Sequence, residues 1–215
     1  MCSTSMGSGS QRRPALEALC ELESWLARSS GEGLGLDEME RESERRGRDL
    51  ACRALQAHLD AVGDGDVGEA IVVEEETGPV RLAYKKAHAR GLVTLVGEVT
   101  INRLGYGAPG RPSVHPLDAA LRLPGRCYSY ELQRRLVRLA VCGPFDEAVA
   151  TIAELTGAEV PKRSAEQILI DAAVDFEAFY ERRANAAPLL GDTDIVVGAI
   201  DCKGIPMVKP EGAVK

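Results

Sequence analysis

Leu92-Val-Thr-Leu-Val-Gly-Glu-Val-Thr-Ile-Asn-Arg103 is the stretch on which the fold of this chain turns. Val93, Leu95, Gly97, Val99 and Ile101 take alternate positions, and Thr94, Val96, Glu98, Thr100 and Asn102 fill those between. A period of two puts successive side chains on opposite faces of an extended backbone, so the run predicts one β-strand from Leu92 to Arg103. Upstream, Ala70 to Val73 and Val80 to Lys86 read as two more strands, set apart by Thr77-Gly-Pro79 and by a loop from His88 to Gly91. A small antiparallel sheet within residues 67–125 is the expected product. Its basic residues Arg81, Lys85, Lys86, Arg90 and Arg103 leave two readings open, a track for a DNA backbone or the ordinary charges of a wet face.

On the N-terminal side, Met1 to Arg13 is Ser/Gly-rich and is expected to be disordered. A helix then opens at Pro14 and runs to about Ala27 with a broad apolar stripe. A second helix, N-capped near Asp37, extends to about Val62. Its first half is charged on nearly all sides, and Ala51, Leu55, Leu59 and Val62 make a narrow stripe in the second. The charged half reads as a solvated face, or as part of a helical hairpin (14–66) that brings two copies of the chain together in a homodimer.

On the C-terminal side, residues 126–187 read as three helices. Ser129 to Val141 carries Leu132, Leu136 and Leu139 on one side and Arg134, Arg135 and Arg138 around the other. Gly143-Pro144 breaks the chain before a short helix from Phe145 to Leu155, and Thr156-Gly157 closes it. Pro161 then sits at a first-turn position of a long helix running to about Arg183, with Ile168, Ala172, Phe176 and Phe179 as its apolar set. A short helix, a Gly-containing turn and a second helix opening on polar residues is the helix-turn-helix pattern, and a plain helical hairpin is the alternative. In the first reading, Lys162, Arg163, Ser164, Glu166 and Gln167 enter the major groove of double-stranded DNA, where Arg or Lys reads guanine and Gln reads adenine.

Composition sets limits. The 215 residues are 45% apolar and carry a net charge of −7, room for one large or two small domains. The charge is uneven: residues 80–140 hold 11 basic and 3 acidic side chains, while residues 141–187 hold 4 and 9. A local basic excess attracts phosphate despite an acidic total, because screening confines each patch to about 10 Å. Aromatic content of 4%, with the single Trp25, argues against a base-stacking platform for single strands. The six cysteines are scattered without a CxxC pair, which argues against a zinc finger or a dense disulfide framework. No apolar run reaches the length of a membrane span, and a cytoplasmic location is expected, with no membrane partner.

Near the C-terminus, Ile195 to Ile200 reads as a buried strand that ends on Asp201, followed by a Lys203-Gly204 turn. A carboxylate at a strand end can hold a divalent cation, or simply cap the turn. Together with Val93 to Tyr106, His115-Pro-Leu-Asp118, Gly143 to Ala150 and Thr156 to Arg163, the Asp201-Cys-Lys-Gly204 motif gives an order that resembles the N-terminal portion of a Kra-type insertion-sequence transposase of the DDE class. That resemblance implies an α+β architecture: helical hairpin, small antiparallel sheet, helix-turn-helix bundle, and from residue 188 the first strand of an RNase H-like domain. It also implies binding of transposon terminal inverted repeats in DNA transposition and recombination. Asp201 would be the first of three carboxylates holding Mg²⁺ for in-line displacement at phosphorus. Glu211 is the only acid after Asp201, so the expectation is a truncated catalytic domain, inactive by itself in strand cleavage. Related transposases often carry a metal knuckle after the sheet, but no cysteine lies between Leu104 and Arg126, so His88 and His115 read as structural or exposed rather than as ligands.

Overall fold

A computed structural model describes residues 13–29, 31, 33–76 and 78–186. In chain order the elements are α1 (Arg13–Ser29), α2 (Leu36–Val62), β1 (Ile71–Glu75), β2 (Gly78–Leu82), β3 (Tyr84–Thr94), β4 (Gly97–Gly107), α3 (Pro116–Ala120), α4 (Tyr130–Cys142), α5 (Phe145–Thr156), α6 (Lys162–Ala172) and α7 (Phe176–Ala186). The architecture is mixed α+β, with helices and two small antiparallel sheets, β1-β2 and β3-β4. One compact unit runs to Ala173 and a second begins at Val174. Residues 1–12, the strand expected at Ile195 to Ile200 and the RNase H-like region lie outside the described residues.

The single strand expected from Leu92 to Arg103 is instead a hairpin. Thr94 pairs with Gly97, and Leu95 and Val96 form the turn. The His88 to Gly91 stretch, expected as a loop, lies inside β3. Nothing in the turn composition announces it, since two-residue hairpins favour Asn-Gly or Asp-Gly and this one uses Leu-Val. The turn is held by the Thr94 hydroxyl, which donates to Gly97 O at 2.7 Å and accepts from Val96 N at 3.3 Å. The two-residue turn also shifts the phase of the alternation. Leu92 and Thr94 of β3 share a face with Val99 and Ile101 of β4, and all four are buried.

That face meets α2. Cys52, Leu55 and Leu59 pack against the cluster of Leu92, Val99, Ile101 and Leu117. Gly97 has φ +137, and a Cβ there would stand 2.9 Å from Cys52 Sγ, so glycine is required by both backbone and contact. The charged first half of α2 is laced by Arg41–Asp37, Arg46–Glu42 and Arg48–Glu44 pairs one turn apart. The Arg45 guanidinium, with Arg46 beside it, holds the Glu42 carboxyl at about 2. α1 covers the inner side of α2 with Ala18 and Trp25, and the Arg46 guanidinium lies 5.2 Å from the Trp25 ring centre.

An exposed strand edge is a template for unwanted pairing, and the outer edge of β4 is closed by a series of different groups. Glu98 O accepts from Cys52 Sγ at 3.5 Å. The Gln56 amide acts as a substitute strand: its Oε1 accepts from Thr100 N and its Nε2 donates to Thr100 O, both at 2.8 Å. Leu104 N donates to Asp64 O, and Tyr106 exchanges two backbone bonds with Val114, each of the three at 2.8 Å. The fully buried Tyr106 sends its hydroxyl to Asp66 at 2.7 Å, where Lys85 Nζ also donates at 2.7 Å. Lys85 first, then Tyr106 and the Gly68 N–H, hold the Asp66 carboxyl well below the usual carboxylate range.

The long helix expected from Pro161 to about Arg183 is two helices, α6 and α7. Ala173 N bonds both Leu169 O (3.0 Å) and Ile170 O (3.2 Å), which tightens and ends α6. Asp175 O then accepts from Phe179 N at 2.9 Å and begins α7. Asp before a helix is a favoured cap, so the apolar spacing that runs through this point does not keep the helix continuous. In the second unit, Phe176, Phe179 and Tyr180 remain about half exposed and touch through Tyr180.

Gln56→Ala should lower stability by about 1 kcal/mol, since Thr100 loses both partners at a site open enough for water to replace them. The check is a urea midpoint that falls while the slope stays unchanged. Asp66→Asn should be less stable than the parent at pH 7. A depressed carboxylate contributes above its ordinary value and loses that contribution as pH falls through its folded value, so the melting-temperature gap should narrow below about pH 4.

Candidate nucleic-acid interface

Three helices share the second core. Leu132 and Leu136 of α4, Ala148 and Ile152 of α5, and Ala165 and Ile168 of α6 are buried together with Tyr128, Ala158 and Val160. Each helix contributes residues three or four apart, the spacing that puts side chains on one face. α4 is capped by Ser129, whose side chain accepts from Leu132 N at 3.3 Å. α5 ends on Gly157 in the left-handed conformation (φ 69, ψ 5), with its N–H on Ala153 O at 2.8 Å. The Thr156 hydroxyl donates to Ile152 O (2.7 Å) and accepts from Ala158 N (3.1 Å), so the exit from the helix is fixed on both sides. Residues 157–161 then carry the chain to α6, with Ala158 and Val160 anchoring the turn in the core. Pro161 is the N-cap of α6, and Lys162 is its first residue.

Burial of Ala165 and Ile168 decides what α6 shows to solvent. Arg163, Glu166, Gln167 and Ile170 lie on the opposite side and are exposed, and Ser164 is half-buried at the border. Lys162 is also exposed but bound: its Nζ lies 3.0 Å from the Asp146 carboxylate at the start of α5. Of the residues expected to face DNA, then, Arg163, Glu166 and Gln167 form one outward stripe, Ser164 borders it, and Lys162 is turned to a carboxylate. Ile170, 62% exposed, completes the stripe and was not among the expected contacts. The signal was present in the sequence, since a period that buries residues 165 and 168 must turn residue 170 outward.

The three arginines of α4 are not gathered at that end. Arg134 is paired with Glu131 at 2.8 Å and lines a cleft with Val137, Ile168 and Asp171, beside the C-terminal half of α6. The cleft is bordered by Arg126, which pairs with Asp171 and holds its carboxyl below the usual range. From Lys162 to Asp171 is nine residues, roughly 14 Å along the axis, so Arg134 stands away from the α6 N-terminus. Arg135 and Arg138 are exposed on the side of α4 turned from Leu132 and Leu136.

Three of the five basic residues of the sheet are committed, and Arg81 and Lys86 are exposed. Lys85 serves Asp66, while Arg90 and Arg103 converge on Asp118. Arg90 Nη2 also donates to Arg126 O at 2.9 Å, tying β3 to the connector before α4. His88 and His115 meet edge to face at 5.2 Å, and burial, reinforced by Arg103, pushes the His115 imidazole below its ordinary value. Among the described residues no three His, Cys, Asp or Glu side chains are grouped to hold a metal ion. Asp201, the residue that the resemblance offers as a Mg²⁺ ligand, lies outside them.

No family model, curated protein or solved structure matches this chain. The geometry of α4 to α6 is therefore the ground for a functional reading.

Gly157→Ala should lower stability by roughly 1–2 kcal/mol, the penalty of a left-handed Cβ, and Gly157→Asn should lower it less. The new Cβ would also stand 2.8 Å from Arg48 Nη1, the flexible end of a side chain that can yield. Thermal unfolding of the two variants checks the order.

Proposed function

We propose that α4 to α6 form a helix-turn-helix module that binds double-stranded DNA, with α6 in the major groove. The observation that carries this reading is the exposed outward stripe of Arg163, Glu166 and Gln167 on a helix that follows a Gly-capped, buried turn. The helix N-terminus adds partial positive charge, which favours a phosphate at the groove edge. Arg163 and Gln167 offer the forked donors and the amide that recognise guanine and adenine edges. Arg135 and Arg138, outside the groove helix, are offered to the backbone.

The wider reading is that this chain is the part of a DDE transposase that binds the element's terminal inverted repeats. What supports it is the order of five motifs from Val93 to Gly204. In that reading Asp201 belongs to a Mg²⁺-dependent strand-transfer site, and the bundle positions DNA for it. A regulator with the same module and no catalytic role is the alternative within DNA binding.

A second reading has one observation in its favour. Residues 141–187 carry nine acidic and four basic side chains, with Asp146 beside Lys162, a balance that suits a protein partner. Salt dependence separates the two. Contact with about five phosphates should make log affinity fall with log salt at a slope of roughly −4 to −5, whereas an acidic protein-docking face gives no DNA affinity to titrate. Arg163→Ala combined with Gln167→Ala should weaken binding to a selected duplex at least about tenfold while leaving residual, salt-sensitive, sequence-indifferent binding. Fluorescence anisotropy at several salt concentrations reads both effects. Full retention of selective binding by the double variant would remove α6 from the groove.

A further inference from the structure

The outward face of α6 carries more than polar donors. Arg163, Glu166, Gln167 and Ile170 stand at i, i+3, i+4 and i+7, which places them along a single line of the helix surface. Arg163 and Ile170 are seven residues apart, about 10 Å along the axis. That length matches about three base-pair steps of 3.4 Å. Single exposed apolar residues are common on protein surfaces, and Leu155 is as exposed as Ile170. What distinguishes Ile170 is its position in line with two base-reading side chains, on the face directly opposite Ala165 and Ile168. Of the groups that line the major groove, the thymine 5-methyl is the apolar one that projects from the base edge, and an isoleucine can cover it.

We infer that Ile170 is a specificity-determining residue that packs on a thymine 5-methyl group, at the far end of a four-base-pair subsite whose near end is a guanine held by Arg163. Gln167 lies between them and takes an adenine edge. Lys162 stands outside this line, with its ammonium beside the Asp146 carboxylate. The inference rests on the DNA-binding reading above and extends it to the identity of the bases.

The test starts from a random 20-base-pair duplex library, from which the full chain selects its preferred sequence. Each thymine of the selected core is then replaced singly by deoxyuridine, which removes the methyl group and nothing else. At one position the parent chain should lose about fourfold in affinity, the worth of one buried methyl. Ile170→Ala should bind the thymine and deoxyuridine duplexes equally, and Ile170→Val should keep most of the difference. Arg163→Ala should relax preference at a guanine about three base pairs from that thymine. Because Ile170 is exposed, its replacement leaves the core of α6 intact, and an unchanged melting temperature confirms this. If selection succeeds but deoxyuridine is tolerated at every position, or Ile170→Ala keeps the parent's discrimination, this inference falls while DNA binding stands. If no duplex is selected and affinity is flat in salt, both fall.

Discussion

The backbone of Val93 is the joint on which the first unit depends. Its N–H donates to Cys127 O at 2.8 Å, and its C=O accepts from Ser129 N at 2.9 Å, so β3 carries a short parallel pairing with the segment that leads into α4. Ser129 is at once the partner of Val93 and the N-cap of α4, which fixes where the helical bundle begins relative to the sheet. The side chains of Val93 and of the turn residue Leu95 pack on the bundle core, while Leu92, on the opposite face of the strand, packs on the α2 core. One strand therefore feeds two hydrophobic cores through its alternation, and the apolar Leu-Val turn is explained by what it touches.

The edges of that hairpin show how a two-stranded sheet is kept from being a liability. A lone hairpin is marginal in water. Here β4 receives helix side chains, loop carbonyls and a short bridge in place of a third strand, each at the alternate residue whose backbone points outward. The connector beyond the sheet is tied by Arg90 and Arg103 through Asp118, a half-buried cluster in which one carboxylate serves two guanidiniums. Of the five basic residues that look in sequence like a phosphate track, Lys85, Arg90 and Arg103 are thus spent on holding loops, while Arg81 and Lys86 stay exposed. Charge counted along the chain and charge available to a ligand are different quantities, because an ion pair uses its members whatever their number.

Around the bundle the balance reverses. The segment is acidic in total, yet the line from Arg163 to Ile170 is exposed, because burial of Ala165 and Ile168 turns that side of α6 to solvent, and among the described residues Asp146 engages Lys162. Selective recognition depends on the few side chains that a rigid helix presents in one line, and net charge acts chiefly on encounter and on salt sensitivity.

The sequence by itself determined the helices. The apolar spacing of Leu132 and Leu136, Ala148 and Ile152, and Ile168 and Ala172, with Ser129 opening one helix and Gly157 closing another, was enough to locate the bundle, because helix period and caps are local properties of the chain. The outward placement of Arg163 and Gln167 follows from the same phase. The tertiary structure decided what depends on partners far away in sequence. The hairpin turn at Leu95-Val96 exists because Leu95 has a helical core to pack on, and the break between α6 and α7 lies where the apolar spacing runs on unchanged. The fate of Lys85, Arg90, Arg103 and Lys162 was fixed by carboxylates between 15 and 28 residues away, and no local pattern carries that information.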